Sequence, residues 1–495
     1  MAGLLAPGAT CWRIDRADRA AFLVDGQDYF TAVRLALEQA RRSIILLGWG
    51  FDPRTRLAPD GFERGDEPDE IGQILLSLAK SRPGLDIRVL VWKSAVPIAA
   101  SQDFFPHRAR TWFADTPVRF RLDDETPLAG CHHQKVVVVD DAVGFCGGAD
   151  FGVDRWDSLA HLDADARRID PDYAAHPPRH EVAMMVNGAA AQALGALARE
   201  RWRRATGEAL EAPPAGGDRA AWPRAVRADM TGAQVAIART EPAWRGRPLV
   251  AEWKALTLAA IAAARQSIYL ENQYFTSPVV AEALARRLVE PDGPEIVLIS
   301  TGQSPSWFDR LTMDRARALA LRRLAAADVF GRFRAFRPET AQGRSIIVHA
   351  KLAITDGRLV RIGSANLNNR SMGLDTECEL AIEAADDAQA KAIETLRNRL
   401  VGHYLGRTPA DVATAIRRHG GLIAAIAALD GRGRLRPIAP ASLGPIARVI
   451  AAYHLGDPLG VGDAWKPWLR RRLLDAEVRA VAAGEPAPTP GRSRE

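Results

Sequence analysis

The chain has 495 residues, 47% of them hydrophobic and 25% charged, which is too long for one ordinary core and excludes a disordered or fibrous protein. A formal net charge of +6 permits an anionic partner such as a phospholipid surface or nucleic acid, and is equally accounted for by a solvated, arginine-rich surface. The four cysteines (Cys11, Cys131, Cys146 and Cys378) have neither CxxC spacing nor the density of a disulfide scaffold, which points to a reduced compartment and no zinc site.

In chain order, "MAGLLAPGATCWRIDR" lacks the basic and apolar regions of a secretory signal. "ARRSIILLGWGF" (40–51) reads as a helix end running into a strand, and "GLDIRVLVW" (84–92) as a second apolar strand. "CHHQKVVVVDDAVGFCGGAD" (131–150) then sets a basic cluster before an all-valine strand. Its lysine stands out in a chain with seven lysines and 59 arginines. The Pro-, Asp- and His-containing stretch 155–180 reads as a surface loop. "HEVAMMVNG" (180–188) follows as a strand leading into an amphipathic helix, and the Pro/Gly-rich stretch 206–228 as a linker.

The same order then recurs. "ARQSIYLENQYF" (264–275), "GPEIVLIST" (293–301), "VHAKLAITDGRLVRIGSAN" (348–366) and "CELAIEAAD" (378–386), with its own following helix, match the first series element by element. Continuous Val/Ile/Leu runs alternating with helices imply an α/β sheet covered on both faces, and the repetition implies duplication. The expected division is a first repeat over 20–205, a linker over 206–228 and a second repeat over 229–407. A helical C-terminal extension over 408–483 and a disordered tail over 484–495 follow. The longest apolar stretches fall short of the ~20 residues that span a bilayer.

Both motif segments read His-x-Lys-x4-Asp with the same downstream spacing: His133, Lys135, Asp140 and Asp150, then His349, Lys351, Asp356, Ser364 and Asn366. Residues two apart on a strand share a face, so each histidine and lysine project side by side. A pseudo-twofold pairing of the repeats would bring two histidines and two lysines together, a cluster that repels itself unless an anion lies between. Phosphate suits that place. One imidazole can attack phosphorus while the other protonates the leaving alcohol and later activates water, with the lysines and Asn366 holding the non-bridging oxygens. Asp150 and Ser364 are expected in the same pocket as substrate-binding groups. Glu181 and Glu379, at matching positions of the repeats, are expected to orient the histidines. Asp140 and Asp356 lie at the far ends of their strands and are expected to make structural hydrogen bonds within the motif. No metal or other cofactor is expected.

These residues resemble the phospholipase D superfamily, whose mark is a duplicated HxKxxxxD with a trailing GSxN. "GGADFGVDRWDS" (147–158), "YLENQYF" (269–275) and "NLNNRSMG" (366–373) are similar to secondary signatures of its eukaryotic-type members. The resemblance implies two duplicated α/β/α sandwich halves with the active site at their shared interface. It implies hydrolysis of a phosphatidylcholine-like phospholipid to phosphatidic acid and a head-group alcohol, with transphosphatidylation as a side reaction. It also implies His133 as nucleophile and His349 as acid. The expected partner is phospholipid at a membrane surface, without nucleic acid, and the expected state is a monomer that is cytoplasmic or peripheral to membrane, with other export routes left open. The C-terminal "DAWKPWLRRRLLDAEVRAV" is read as a helix packed on the second repeat or a lipid-facing segment, with "SPSWFDR" (304–310) as a comparable loop. The alternatives are phosphatidyl transfer to another lipid, as in cardiolipin synthase, cleavage of nucleic acid, and a catalytically silent membrane scaffold.

Overall fold

The apolar runs form strands buried on both faces, and their alternation sorts side chains between cores. A computed structural model describes residues 3–59, 69–94, 106–214, 221–440 and 442–485, so most of the tail expected over 484–495 lies outside the described residues. The first half contains β1 (Arg13–Val24), β2 (Ser43–Gly48), β3 (Asp86–Trp92), β4 (Arg119–Asp123), β5 (Val136–Val139), β6 (Val143–Gly147), β7 (Arg179–His180) and β8 (Val182–Asn187). The second contains β9 (Met230–Glu241), β10 (Val250–Ala251), β11 (Ser267–Asn272), β12 (Glu295–Ile299), β13 (Phe333–Pro338), β14 (Ile347–Val348), β15 (Lys351–Thr355), β16 (Leu359–Gly363) and β17 (Glu377–Glu383). A last strand, β18 (Leu435–Pro437), adds to the outer edge beside β13.

The sheet runs β4-β3-β2-β5-β6-β8-β1 and then continues β9-β17-β16-β15-β11-β12-β13-β18. Each half is the other read outward from the centre, with parallel pairs at the same two places, β2–β3–β4 and β11–β12–β13. The halves join through β1 and β9, which pair antiparallel from Arg13↔Ile237 to Ala20↔Met230. The fold is therefore a duplicated α/β architecture. The first repeat takes its opening strand from Arg13 onward, ahead of residue 20, because that strand is the seam.

Along β5, Val136 and Val138 enter a core that spans both halves, while Val137 and Val139 enter one confined to the first half. In β15, Leu352 and Ile354 join the shared core and Ala353 faces the second half's own. Helices Gly188–Thr206 and Asp387–Leu405, which follow β8 and β17, bury Leu194 and Trp202, and Ile393 and Leu400, in the shared core.

Two expectations are refined. The stretch 155–180 is a surface loop over a buried polar anchor: Arg155, Asp157, His161, Arg168, Arg179 and His180 are buried, while Leu162 and residues 172–175 are exposed. Asp157 makes this possible by accepting from His161 Nδ1 (2.8 Å), Arg168 Nη1 (3.1 Å), and the Ser158 and Arg179 backbone N–H groups (both 2.9 Å). The C-terminal extension is mainly helical, as expected, and also carries β18. Its last helix, Pro467–Ala483, docks on the second half through the buried Lys254–Glu477 pair at 2.8 Å and Arg286 Nη1 donating to the Val481 carbonyl at 2.6 Å. No single described helix is long and apolar enough to cross a membrane.

Asp140 and Asp356 sit in the turns closing the β5–β6 and β15–β16 hairpins, with φ of 55° and 54°. The Asp140 carboxylate accepts the N–H groups of Arg41, Arg42 and Ser43 at 2.7–2.8 Å. The Asp356 carboxylate accepts those of Arg265, Gln266 and Ser267 at 2.7–2.9 Å. Each motif aspartate thus ties its hairpin to the root of the neighbouring strand. Asp140→Ala and Asp356→Ala each leave these donors without their acceptor. Each variant is expected to lose about 2 kcal/mol of stability, read as a lowered denaturant midpoint, with the asparagine variants losing less.

Candidate active site

His133 and Lys135 lie just ahead of β5, and His349 and Lys351 stand at the equivalent entry to β15. Each motif is held by the opposite half. The His133 N–H donates to the Thr376 carbonyl at 3.0 Å, and the His349 N–H to the His180 carbonyl at 2.8 Å. The residues that follow those carbonyls are glutamates, and they meet the histidines. His133 Nδ1 lies 3.0 and 3.1 Å from the two carboxylate oxygens of Glu377. His349 Nδ1 lies 2.7 Å from Glu181 Oε1 and 3.3 Å from Lys351 Nζ. Gly148 of the first motif touches the second: a Cβ there would stand 2.9 Å from both the His349 carbonyl oxygen and Glu181 Oε2.

The lysines are buried and anchored differently. Lys135 Nζ pairs with Asp150 Oδ2 at 3.0 Å and donates to the His133 carbonyl at 3.1 Å. Lys351 Nζ donates to the His349 carbonyl at 2.6 Å and to Gln273 Oε1 at 3.0 Å. Burial, with the charge of Lys135 acting across the interface, pushes Lys351 down to about 7. Burial and the charges of Lys351, Arg179, Arg155 and Lys135 hold His349 well below the ordinary imidazole value. The two motifs therefore share one electrostatic environment, rich in cations.

The glutamates differ. Burial raises Glu181 in spite of the nearby Lys351, Arg179 and Arg155. Burial works on Glu377 as well, but the charge of His133 and hydrogen bonds from His133, Ser364 and Ser371 outweigh it and leave the carboxyl below its ordinary value. The Ser364 hydroxyl donates to Glu377 Oε2 at 2.5 Å and the Ser371 hydroxyl to Oε1 at 2.6 Å.

Among the residues expected at the site, the structure brings His133, Lys135, His349, Lys351 and Glu181 together, and sets Asp140 and Asp356 apart at the hairpin turns. Glu379 is corrected: it does not meet a histidine, and its carboxylate accepts the Ala365 N–H at 2.9 Å. The sheet register explains the change. Gly147 pairs with Ala183 and Gly363 with Glu379, so the equivalent of Glu181 is Glu377, two residues earlier. Burial pushes the Glu379 carboxyl up to about 8.

Asp150 and Ser364 are corrected too, because both are committed inside the protein. Asp150 Oδ1 accepts the Trp49 and Gly50 N–H groups at 2.8 and 3.1 Å while Oδ2 holds Lys135. Ser364 holds Glu377 and accepts the Cys378 N–H at 3.1 Å. Asn366 differs, since its buried Oδ1 has no hydrogen-bond partner among the described residues. Sequence reasoning missed Glu377, Ser371, Arg155, Arg179 and Gln273 as site residues. Gln273 belongs to the "YLENQYF" segment that the repeat itself brings forward.

A cardiolipin synthase PLD-like domain family model matches residues 257–400. Phospholipase D A of Dictyostelium discoideum is 22% identical over 77% of this chain and 33% of its own length. Phospholipase D1 of Schizosaccharomyces pombe is 23% identical over 81% of this chain and 37% of its own. The chain thus spans about a third of the length of these two relatives. Cardiolipin synthase of Geobacillus kaustophilus is 24% identical over 74% of this chain and 62% of its own. In fold, the crystal structure of phosphatidylserine synthase from Haemophilus influenzae Rd KW20 is similar, with a TM-score of 0.53 at 14% identity, covering 84% of this chain and 95% of that one. Carrying the doubled motif on a doubled α/β frame, the chain is similar along most of its length to phospholipase D and cardiolipin synthase relatives, which supports a place in the phospholipase D superfamily.

Proposed function

We propose that this chain is a phosphodiesterase that cleaves the head-group side of a phosphatidylcholine-like glycerophospholipid, releasing phosphatidic acid and the head-group alcohol. The observation that carries the reading is the exchange of histidines between the halves. It leaves both Nδ1 atoms facing carboxylates and lines the site with Lys135, Lys351, Arg155 and Arg179. Asp150 holds Lys135 and Asp154 holds both arginines, which leaves Lys351, on Gln273 and the His349 carbonyl, as the ammonium that a phosphodiester would meet.

In this mechanism His133 Nε2 attacks phosphorus and the bond to the head-group oxygen breaks, with His349 giving a proton to the departing alcohol. Burial and nearby cations keep His349 neutral in the free site, and the charge of the bound phosphodiester offsets those cations so that the ring can carry that proton. His349 then takes a proton from water, whose oxygen attacks phosphorus and breaks the P–N bond. The ionised Glu377 beside His133 Nδ1 supports His133 as nucleophile, because the ring becomes cationic when it is phosphorylated. A lipid alcohol in place of water would give phosphatidyl transfer, a reading favoured by the family model over 257–400. Formation of cardiolipin from phosphatidylglycerol tests for it.

The exposed apolar side chains near the second half support a lipid surface as the place of action. Trp307, Ile446, Trp465 and Trp468 are 64%, 78%, 72% and 65% exposed. The segment before Trp465 is tied to the second motif's end, since Asp457 accepts the Asn369 and Arg370 N–H groups at 3.2 and 2.9 Å.

Four outcomes are expected. Rapid quench with phosphatidylcholine traps a phosphatidyl adduct of the chain by intact mass in His349→Ala and none in His133→Ala; retention of hydrolysis by both variants refutes the mechanism. Glu377→Gln removes the ionised partner of His133 and lowers kcat roughly 10- to 100-fold, the scale of one charge-assisted hydrogen bond, whereas Glu379→Gln stays within about twofold. The same Glu379→Gln also changes stability with pH. Glu379 keeps its proton in the folded chain up to about 8 against an ordinary 4.5, so its contribution falls as pH rises through that window, and the glutamine flattens the fall. Finally, alanine at both Trp465 and Trp468 is expected to weaken co-sedimentation with vesicles while sparing turnover of a short-chain soluble substrate.

A further inference from the structure

We propose that this chain binds a divalent transition-metal ion of the zinc type between Asp25, His161, His180 and His403, beside the link between β7 and β8 that carries Glu181. The four residues come from the start of the helix Asp25–Glu38, the stretch 155–180, β7, and the helix Asp387–Leu405. One ligand atom from each lies within 4.8 Å of all the others. A tetrahedral ion with ligand bonds of about 2.0–2.1 Å needs only a small inward movement of such a set. Three imidazoles and one carboxylate form a donor set that zinc accepts. Sequence reasoning expected no metal and found no ligand set, because these positions share no local spacing and only the fold assembles them.

Two independent features point to a ligand. The first is a group of buried polar atoms with nothing to bond. Asp25 Oδ2, His161 Nε2 and both ring nitrogens of His403 have no well-formed hydrogen bond among the described residues. Asp25 is fully buried and His161 only 3% exposed. Asp25 Oδ2 and His161 Nε2 face each other at 3.4 Å. Orphaned buried atoms of this kind are costly unless something occupies the space between them.

The second feature is the support behind the ligands. His161 Nδ1 is held by Asp157 Oδ2 at 2.8 Å, which turns Nε2 toward Asp25. His180 Nε2 is held by Glu271 Oε2 at 2.7 Å, and the Tyr269 hydroxyl steadies that glutamate at 2.5 Å. A carboxylate on the far nitrogen is the usual support of a metal-bound histidine. The charges agree. An ion on His180 Nδ1 would displace the proton that this nitrogen shares with Asp25 Oδ1; the carboxylates of Asp25, Asp157 and Glu271 then face one guanidinium, Arg168, and the two remaining negative charges match one divalent cation.

The site would brace the link bearing Glu181 directly. Asp25 Oδ1 accepts from His180 Nδ1 at 2.7 Å and from the Glu181 N–H at 3.2 Å, and the Asp25 N–H donates to the Glu181 carbonyl at 2.8 Å. An ion on Asp25 and His180 would therefore fix the segment that presents Glu181 to His349.

The test uses the full chain without an affinity tag, stripped with a chelator and titrated with Zn²⁺ or Co²⁺. One equivalent is expected to bind, Co²⁺ to give the visible absorption of a tetrahedral site, and Zn²⁺ to raise Tm. His161→Ala and His403→Ala are expected to abolish stoichiometric uptake, and His419→Ala, at an exposed surface histidine, to leave it unchanged. Should the ligand variants fail to fold, Asp157→Asn decides, with an expected loss of about 10- to 100-fold in affinity. Absence of uptake by the wild type, or unchanged affinity in Asp157→Asn, overturns the proposal.

Discussion

Each half supplies a histidine that only the other half can hold. The backbone of His133 is fixed on Thr376 and that of His349 on His180, and the glutamate following each anchor meets the imidazole. Because each imidazole meets its carboxylate only across the interface, the site is complete only where both halves are docked. That docking is secured by the antiparallel seam of β1 and β9 and by the core to which both halves contribute. The burial that secures it sets the electrostatics. Lysines and arginines taken from water need compensation: Asp150 holds Lys135, Asp154 holds Arg155 and Arg179, and Lys351 rests on Gln273 and the His349 carbonyl. On the proposed reading, that last ammonium is the one the phosphodiester meets.

A twofold arrangement would leave the two histidines alike, yet acid and nucleophile need opposite protonation in the same step. One difference between the motifs breaks the symmetry. The second reads Gly363-Ser364 and the first Gly147-Gly148. Ser364 donates to Glu377, whereas at the equivalent place Gly148 leaves Glu181 Oε2 without such a donor. Glu377 is accordingly stabilised as an anion while Glu181 is pushed toward its neutral form. A serine could not simply be added at 148, because its Cβ would fall 2.9 Å from the His349 carbonyl oxygen.

The fold was legible in the sequence because duplication writes the same apolar runs twice, and strands covered on both faces are continuous runs that need no subtle pattern. The motif histidines and lysines were legible for the same reason. The orienting carboxylate was legible only in one half. Glu377 and Glu379 lie two apart on one strand and so share a face. A pattern that matches "EVAM" to "ELAI" has no means of telling which of them reaches the imidazole; the strand register does. Asp150 and Ser364 illustrate a different limit. Their positions were readable, but their hydrogen bonds are spent on backbone and side chains distant in sequence.

The stretch 155–180 carries the same limit furthest. Its composition is that of a solvated loop, and composition is a sound guide only where polar groups have no partners but water. Here Asp157 gathers donors from four positions, and Arg179 and His180 lead straight into the link bearing Glu181. The second half has no counterpart of comparable length between motif and strand. The insertion therefore adds charge to one side of the interface alone, where Arg155 and Arg179 act on His349. Duplication alone yields two equivalent imidazoles; an insertion whose charged anchor is buried beside one of them makes the pair unequal.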